Sequence, residues 1–290
     1  MDMLVAGMPI RIDSAQKEYF DRLYGPYERR DGRDPVMEIR TKMLDEIVCP
    51  EGEELQSIKS ATMLRLADGR RCRYSRNLSG EIFLATYYND DYSDVEIQMR
   101  KGLIHPQFTS EGWEYSLTGF SFQDRLTALG GGVLHASSIA WRGKGIAFSA
   151  NSGTGKSTHV GLWQQLLGDE VTVVNDDKPA IVFDGDQAML CGTPWSGKHA
   201  INTNVTVPLK AIVFIERGAQ NSICRLDPLR SYFYLTSQLA RPYYDVNLGE
   251  KLVEFGERLL ANVPIYCLTC NISTEAVETV IKEIFPEEEI

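Results

Sequence analysis

The chain lacks any apolar run near the ~20 residues that cross a bilayer as a helix, so a membrane partner is not expected. Its opening, MDMLVAGMPIRID, lacks the basic segment and apolar length of a secretory signal, and a cytoplasmic location is the expectation. Positive charge is in short supply. Thirty Lys and Arg against forty Asp and Glu give a formal net charge of -10, which speaks against a nucleic-acid partner. Polyphosphate would then have to be met by a few locally placed cations. Cysteine is sparse too: Cys49, Cys72, Cys191, Cys224, Cys267 and Cys270 show no disulfide-rich spacing. Cys267 and Cys270 form a single CxxC, and without a second pair for zinc they read as buried strand-end thiols. Internal repeats and low-complexity tracts are absent. What remains is the balance of a soluble globular protein, 290 residues with 43% hydrophobic and 24% charged. That length fits one large domain, or a catalytic domain with a smaller appendage.

Two halves differ in texture. Between about 58 and 100, ATMLRLADGRRCRYS and EIFLATYYNDDYSDVEIQM alternate apolar and polar residues. Turn signals at Asp68-Gly69 and Asn89-Asp90-Asp91 predict a small antiparallel meander there. Upstream, SAQKEYFDRLYG reads as a short helix and ERRDGRDP as a polar loop. A helical pattern around FSFQDRLTALGGG stops at the glycines 130–132. The boundary is placed just before it, giving a β-rich recognition region over 1–120 and a catalytic domain over 121–290.

In the second half, VLHASSIAW and GIAFSA read as strands around the turn RGKG, and KSTHVGLWQQLL as a helix. VTVVN, AIVF and AMLC follow as strands, the last two joined at Asp184-Gly185. AIVFIE and IYCLTC are further strands; LRSYFYLTSQLA, GEKLVEFGERLLAN and TEAVETVIKEIF are helices. Strands interleaved with helices, plus a hairpin, predict an α/β domain on a mixed sheet.

Ala150, Asn151, Ser152, Gly153, Thr154, Gly155, Lys156 and Ser157 spell ANSGTGKS, and Thr158 completes GKST. The spacing is that of a phosphate-binding loop with Ala for the usual first Gly, set between a strand and a helix as that motif requires. Gly153 and Gly155 let backbone N–H groups turn toward phosphate oxygens, and the helix adds its positive N-terminus. Lys156 can reach the β- and γ-phosphates, and the Ser157 hydroxyl can ligate magnesium. Downstream, TVVNDDKPAI ends a strand in Asp176 and Asp177. One acid of such a pair can hold magnesium while the other accepts the proton of an attacking hydroxyl. Two other stretches mislead. NLSGE at 77–81 superficially resembles the signature of ABC transporter ATPases, but that family carries it downstream of the loop. TKMLD at 41–45 is a poor match to a guanine reader, so ATP is the expected nucleotide.

The run LHASSIAWRGKGIAFSANSGTGKSTHVGLW followed by VVNDDKPAI resembles the catalytic domain of HPr kinase/phosphorylase. It resembles still more the HPr-kinase-like proteins of bacteria with unassigned acceptors. More distantly, it is similar to the nucleotide core of ATP-dependent phosphoenolpyruvate carboxykinase. The specific motifs cover roughly residues 125 to 215. The resemblance implies a P-loop, mixed-sheet α/β catalytic domain behind a small β-rich N-terminal domain. It implies that Ala150 to Thr158 wrap the β-phosphate, with Lys156 on the β- and γ-oxygens and Ser157 on magnesium. Asp176 matches the acid that deprotonates the acceptor, Asp177 the metal-side acid, and His135 a histidine near the pair. HPr kinases are hexamers, so a homo-oligomer is also implied. The chain departs from the family elsewhere. Residues 1 to about 120 do not look like the HPr enzyme's N-terminal domain, and its glycine-rich RG signature has no clear match. In its place stands GTPWSGKHAIN, where Lys198 either reaches the transferring phosphoryl group or is a solvated loop lysine. In QLARPYYD, Arg241 either clamps a phosphate or acidic acceptor or is structural.

The expected activity is a magnesium-dependent transfer of the ATP γ-phosphoryl group to a hydroxyl, on a protein or peptide serine or on a small metabolite. The alternative is a nucleotide-binding regulator with little turnover. A carboxykinase would need a second metal held by His and Lys ligands. The chain has only His105, His135, His159 and His199, and that set is not evident.

Overall fold

A computed structural model describes residues 1–58, 60–102, 109–197, 200–242 and 245–288. Its contacts divide the chain into two units, Met1–Leu129 with Pro242–Leu248, and Gly130–Arg241 with Gly249–Ile290.

The first unit carries β1 (Asp2–Val5), β2 (Met8–Asp13), α1 (Lys17–Tyr24), β3 (Met37–Leu44), β4 (Glu53–Ile58) and β5 (Ala61–Arg65). It continues with β6 (Arg71–Arg76), β7 (Ile82–Tyr88), β8 (Asp94–Arg100) and α2 (Ser110–Ala128). Among the described residues its sheet has eight strands in the order β1-β2-β3-β8-β7-β6-β5-β4. The expected meander is there, with β5 and β6 joined across Asp68-Gly69 and β7 and β8 across Asn89–Asp91. The sheet extends further than expected because β3 joins β2 and β8 by parallel ladders. On β3, Met37, Ile39 and Thr41 are buried, while Arg40 and Lys42 pair with Asp94 and Glu96 of β8. Thr41 and Lys42, read above as a faint guanine motif, are thus ladder residues. α2 starts well ahead of FSFQDRLTALGGG, where the Thr109 side chain accepts from the Gly112 N–H. It runs through position 120 and ends at Ala128, two residues before Gly130, whose φ is +82°. The fully buried Glu114 accepts from Ser14 Oγ, Gln16 Nε2 and Thr41 Oγ1, three donors that offset the cost of burying a carboxylate.

The second unit carries β9 (Gly132–Val133), β10 (Ala136–Trp141), β11 (Lys144–Ser149), α3 (Lys156–Leu167), β12 (Val171–Asn175), β13 (Ala180–Asp184) and β14 (Gln187–Cys191). Then come β15 (Thr206–Arg217), β16 (Ser222–Arg225), α4 (Pro228–Gln238), α5 (Val246–Asn262, whose first turn counts with the first unit), β17 (Ile265–Cys270) and α6 (Thr274–Ile284). The strands run β12-β10-β11-β15-β14-β13-β9, with β17 also paired to β15 and β16 to β17. Both faces are covered, which is why the strands read as nearly continuous apolar runs. Ile146, Phe148, Val213 and Ile215 face α3 and α6; Ala147, Ile212 and Phe214 face α4 and α5. The same alternation splits the CxxC. Cys267 enters one core and Cys270 the other, both as free buried thiols, so the pair cannot share a metal. The whole is a mixed α/β structure, and among its described residues no helix is long and apolar enough to cross a membrane.

β11, β15 and β17 are parallel neighbours, so their carboxyl ends share one edge of the sheet. β10 runs antiparallel to β11 and starts at that edge, and β12, antiparallel to β10, ends there. Five strands therefore deliver Ser149, Arg217, Cys270, Ala136 and Asn175 to one rim, the side of an α/β sheet where ligands bind.

Candidate functional site

The loop from Ala150 leaves β11 at this rim and enters α3 at Lys156. Gly153 (φ +77°) and Gly155 (φ +123°) take conformations that side chains rarely adopt, which fixes glycine at both places. Asn151, Ser152, Gly153, Ser157 and Thr158 are exposed, and Thr154 and Gly155 half-buried. Ala150, with its side chain buried, needs no positive φ, which accounts for the departure from glycine at the first position.

Lys156 is buried at the start of α3, its Nζ 3.1 Å from Ala150 O and 3.0 Å from His135 Nε2. An ammonium can only donate, so His135 Nε2 accepts and its proton sits on Nδ1. Nδ1 lies 3.1 Å from Asp177 Oδ1, completing a Lys156–His135–Asp177 chain. Burial pushes the Lys156 ammonium below its ordinary value, against the pull of Asp177 and Asp176. For Asp177, burial opposes ionisation, but the His135 hydrogen bond and the charges of Lys178 and Lys156 outweigh it and hold the carboxyl below its ordinary value.

Asp176 belongs to a second cluster. Its Oδ2 accepts from Ser157 Oγ at 3.0 Å and its Oδ1 from Ser137 Oγ at 2.5 Å, and Ser137 also donates to the Asp176 carbonyl. The adjacent acids thus face different partners, because the turn after β12 is set by Asn175. Its Oδ1 accepts from the N–H groups of Asp177 and Lys178, and its Nδ2 donates to Thr193 and to the Trp195 carbonyl. Gly197 (φ +74°) crosses so close that a Cβ there would stand 3.0 Å from Asp177 Cβ. Ser137, Asn175 and Gly197 were not singled out in the sequence. Only their neighbourhood to His135, the acid pair and GTPWSGKH marks them.

Three cavities of the second unit adjoin the loop. One of about 490 Å³ is lined by His135, Lys156, Ser157, Asp176 and Asp177. A second of about 490 Å³ lies beside Thr158, His159 and Leu162, toward Asn271 and Ile272. The third, about 700 Å³, lies between Asn151–Thr154 and α4. The structure therefore gathers His135, Ala150 to Thr158, Asp176 and Asp177. It does not bring Arg241 to them: that guanidinium donates to Thr236 O near the end of α4 and lines none of the three cavities. Lys198 lies outside the described residues.

A family model described as SynChlorMet cassette protein ScmC matches residues 121–285, more than half of the chain, and the chain belongs to that family. No curated protein matches it. Among solved structures, the Hpr(Ser) kinase/phosphatase from Coxiella burnetii is similar over 54% of this chain and 99% of its own, at 11% identity and a TM-score of 0.31.

Proposed function

For this ScmC-family chain we propose a magnesium-dependent kinase that moves the γ-phosphoryl group of ATP to a hydroxyl acceptor. The observation that carries the reading is one constellation. A glycine loop between strand and helix offers Lys156 and Ser157, and each is hydrogen-bonded into a network that ends on a different member of an acid pair. The mixed α/β structure agrees with the coarse fold class expected from the sequence.

Ser157 Oγ and Asp176 Oδ2, 3.0 Å apart, are hard oxygen donors of the kind magnesium takes together with phosphates and water, and they would hold it. When bound, the ion neutralises charge on the β- and γ-phosphate oxygens. This assigns Asp176 to the metal side and leaves Asp177 to orient the acceptor hydroxyl and take its proton, the reverse of the division that the resemblance implies. A carboxyl held below its ordinary value is a weak base. In a loose transition state the hydroxyl gives up its proton late, so orientation counts for more than basicity. His135 keeps Asp177 ionised and aimed, and Lys156 meets the phosphate oxygens once its bond to Ala150 O is exchanged for them. The cavity beside Thr158, on the helix side of the loop, suits the nucleoside. The acceptor is a protein or peptide serine or a small hydroxylated metabolite.

The test is ADP release with magnesium against a pool of hydroxylated metabolites and Ser-containing peptides. Lys156→Ala abolishes it. Asp177→Asn lowers kcat by roughly 10²–10⁴-fold at unchanged magnesium dependence, whereas Asp176→Asn raises the magnesium concentration required. The opposite pattern would restore the reverse assignment. ATP binding without turnover on any acceptor would overturn the kinase in favour of a nucleotide-binding regulator.

A further inference from the structure

Arg217 ends β15, the parallel neighbour of the strand that launches the glycine loop. Its Nε donates to Thr154 O at 3.1 Å and its Nη2 to Gly153 O at 2.5 Å. No carboxylate among the described residues forms an ion pair with it, and the neighbouring Glu216 accepts instead from the Tyr234 hydroxyl. The guanidinium lines the cavities on both flanks of the loop.

A planar trans peptide directs the carbonyl of one residue and the N–H of the next to opposite sides. Drawing the carbonyls of Gly153 and Thr154 toward Arg217 therefore turns the N–H groups of Thr154 and Gly155 away from it. The Thr154 N–H is directed back across the turn to Asn151 O at 3.2 Å. These two peptide planes flank glycines whose backbone is otherwise free to rotate, and ordering such a segment costs more entropy than ordering any other residue type. A rigid fork that holds both carbonyls supplies the missing constraint, and it leaves a positive charge beside the cradle. Lysine cannot substitute, because its single ammonium carries no planar fork.

We infer that Arg217 is a positioning residue that holds the glycine loop in its phosphate-receiving shape and tunes its affinity for polyphosphate. The inference rests on the nucleotide reading above, and the experiment separates the two. Titration calorimetry of the full chain with inorganic tripolyphosphate and with ATP is compared for wild type, Arg217→Ala and Arg217→Lys, with Tm recorded for each. Arg217→Ala weakens both ligands by roughly tenfold or more at an unchanged Tm, and Arg217→Lys, charged but unable to hold two carbonyls, recovers only part of the loss. Affinity of Arg217→Ala within twofold of wild type, or full recovery by Arg217→Lys, overturns the positioning role while the nucleotide reading stands. A wild type that binds neither ligand overturns both. Should Arg217→Ala fail to fold, Arg217→Lys carries the same comparison.

Discussion

Asp176 and Asp177 are covalent neighbours with opposite surroundings, and the difference is measurable. The Asp177 carboxyl is held below its ordinary value, so its ionised form favours the folded state. That contribution is complete above the unfolded value and is lost as pH falls through the folded one, below about pH 4. Urea unfolding of wild type and Asp177→Asn from pH 7 to pH 3 is expected to show wild type more stable at neutral pH and the gap closing on acidification. A gap that stays constant across the range would mean that Asp177 gains nothing from His135 and Lys156. The motif residues of this site were legible in the sequence because each type is tied to one chemistry at one spacing. Ser137, Asn175 and Arg217 were not. Serine, asparagine and arginine have many uses, and their roles here come from cross-strand neighbours far away in the chain.

At the scale of the element, α3 ties the loop to the core. Trp163 Nε1 donates to His159 Nε2 at 3.2 Å, one helical turn back, and the His159 ring packs edge-on against Phe148 of β11. Burial pushes the His159 imidazole down from 6.5 to about 4. The unfolded chain therefore binds a proton that the folded chain refuses, and stability falls as pH drops from 6.5 toward 4. His159→Gln, which keeps an acceptor for Trp163, is expected to make that fall shallower by up to about 1.4 kcal/mol per pH unit. Identical slopes would place the titration elsewhere. α3, β12 and β17 were readable to their ends because glycines (Gly155, Gly168), acids (Glu170, Asp176) and Pro264 with Asn271 punctuate them. β3 and β4 were not. Charged residues alternate through β3, and β4 is exposed along its length, so neither shows the apolar run that marks a strand. β16 escaped because it is short and mostly exposed.

At the scale of the molecule, the first unit takes its last piece from far along the chain. The nearly buried Asp245 carboxylate accepts from Arg71 Nη1 at 2.5 Å, from the Tyr92 hydroxyl and from the Leu248 N–H. Removing one side of a buried ion pair costs about 3–5 kcal/mol where the other is left unpaired; here the exposed Asp90, 3.0 Å from Arg71 Nε, remains as a second partner and sets that range as an upper bound. Asp245→Ala is expected to lower the unfolding free energy of the first unit, measured in urea, by up to about 3–5 kcal/mol. A change below about 1 kcal/mol would show that Asp90 and water together compensate Arg71. No sequence pattern announced this return, since a single ion pair across so long a separation leaves no periodicity. A ribosome meets it as a matter of timing. All eight strands of the first sheet and α2 are synthesised long before Asp245, so in the emerging sheet the Arg71 guanidinium has only the exposed Asp90 carboxylate to answer it while most of the second unit is still being translated. Its maturation waits on a few residues from the far side of the phosphate loop.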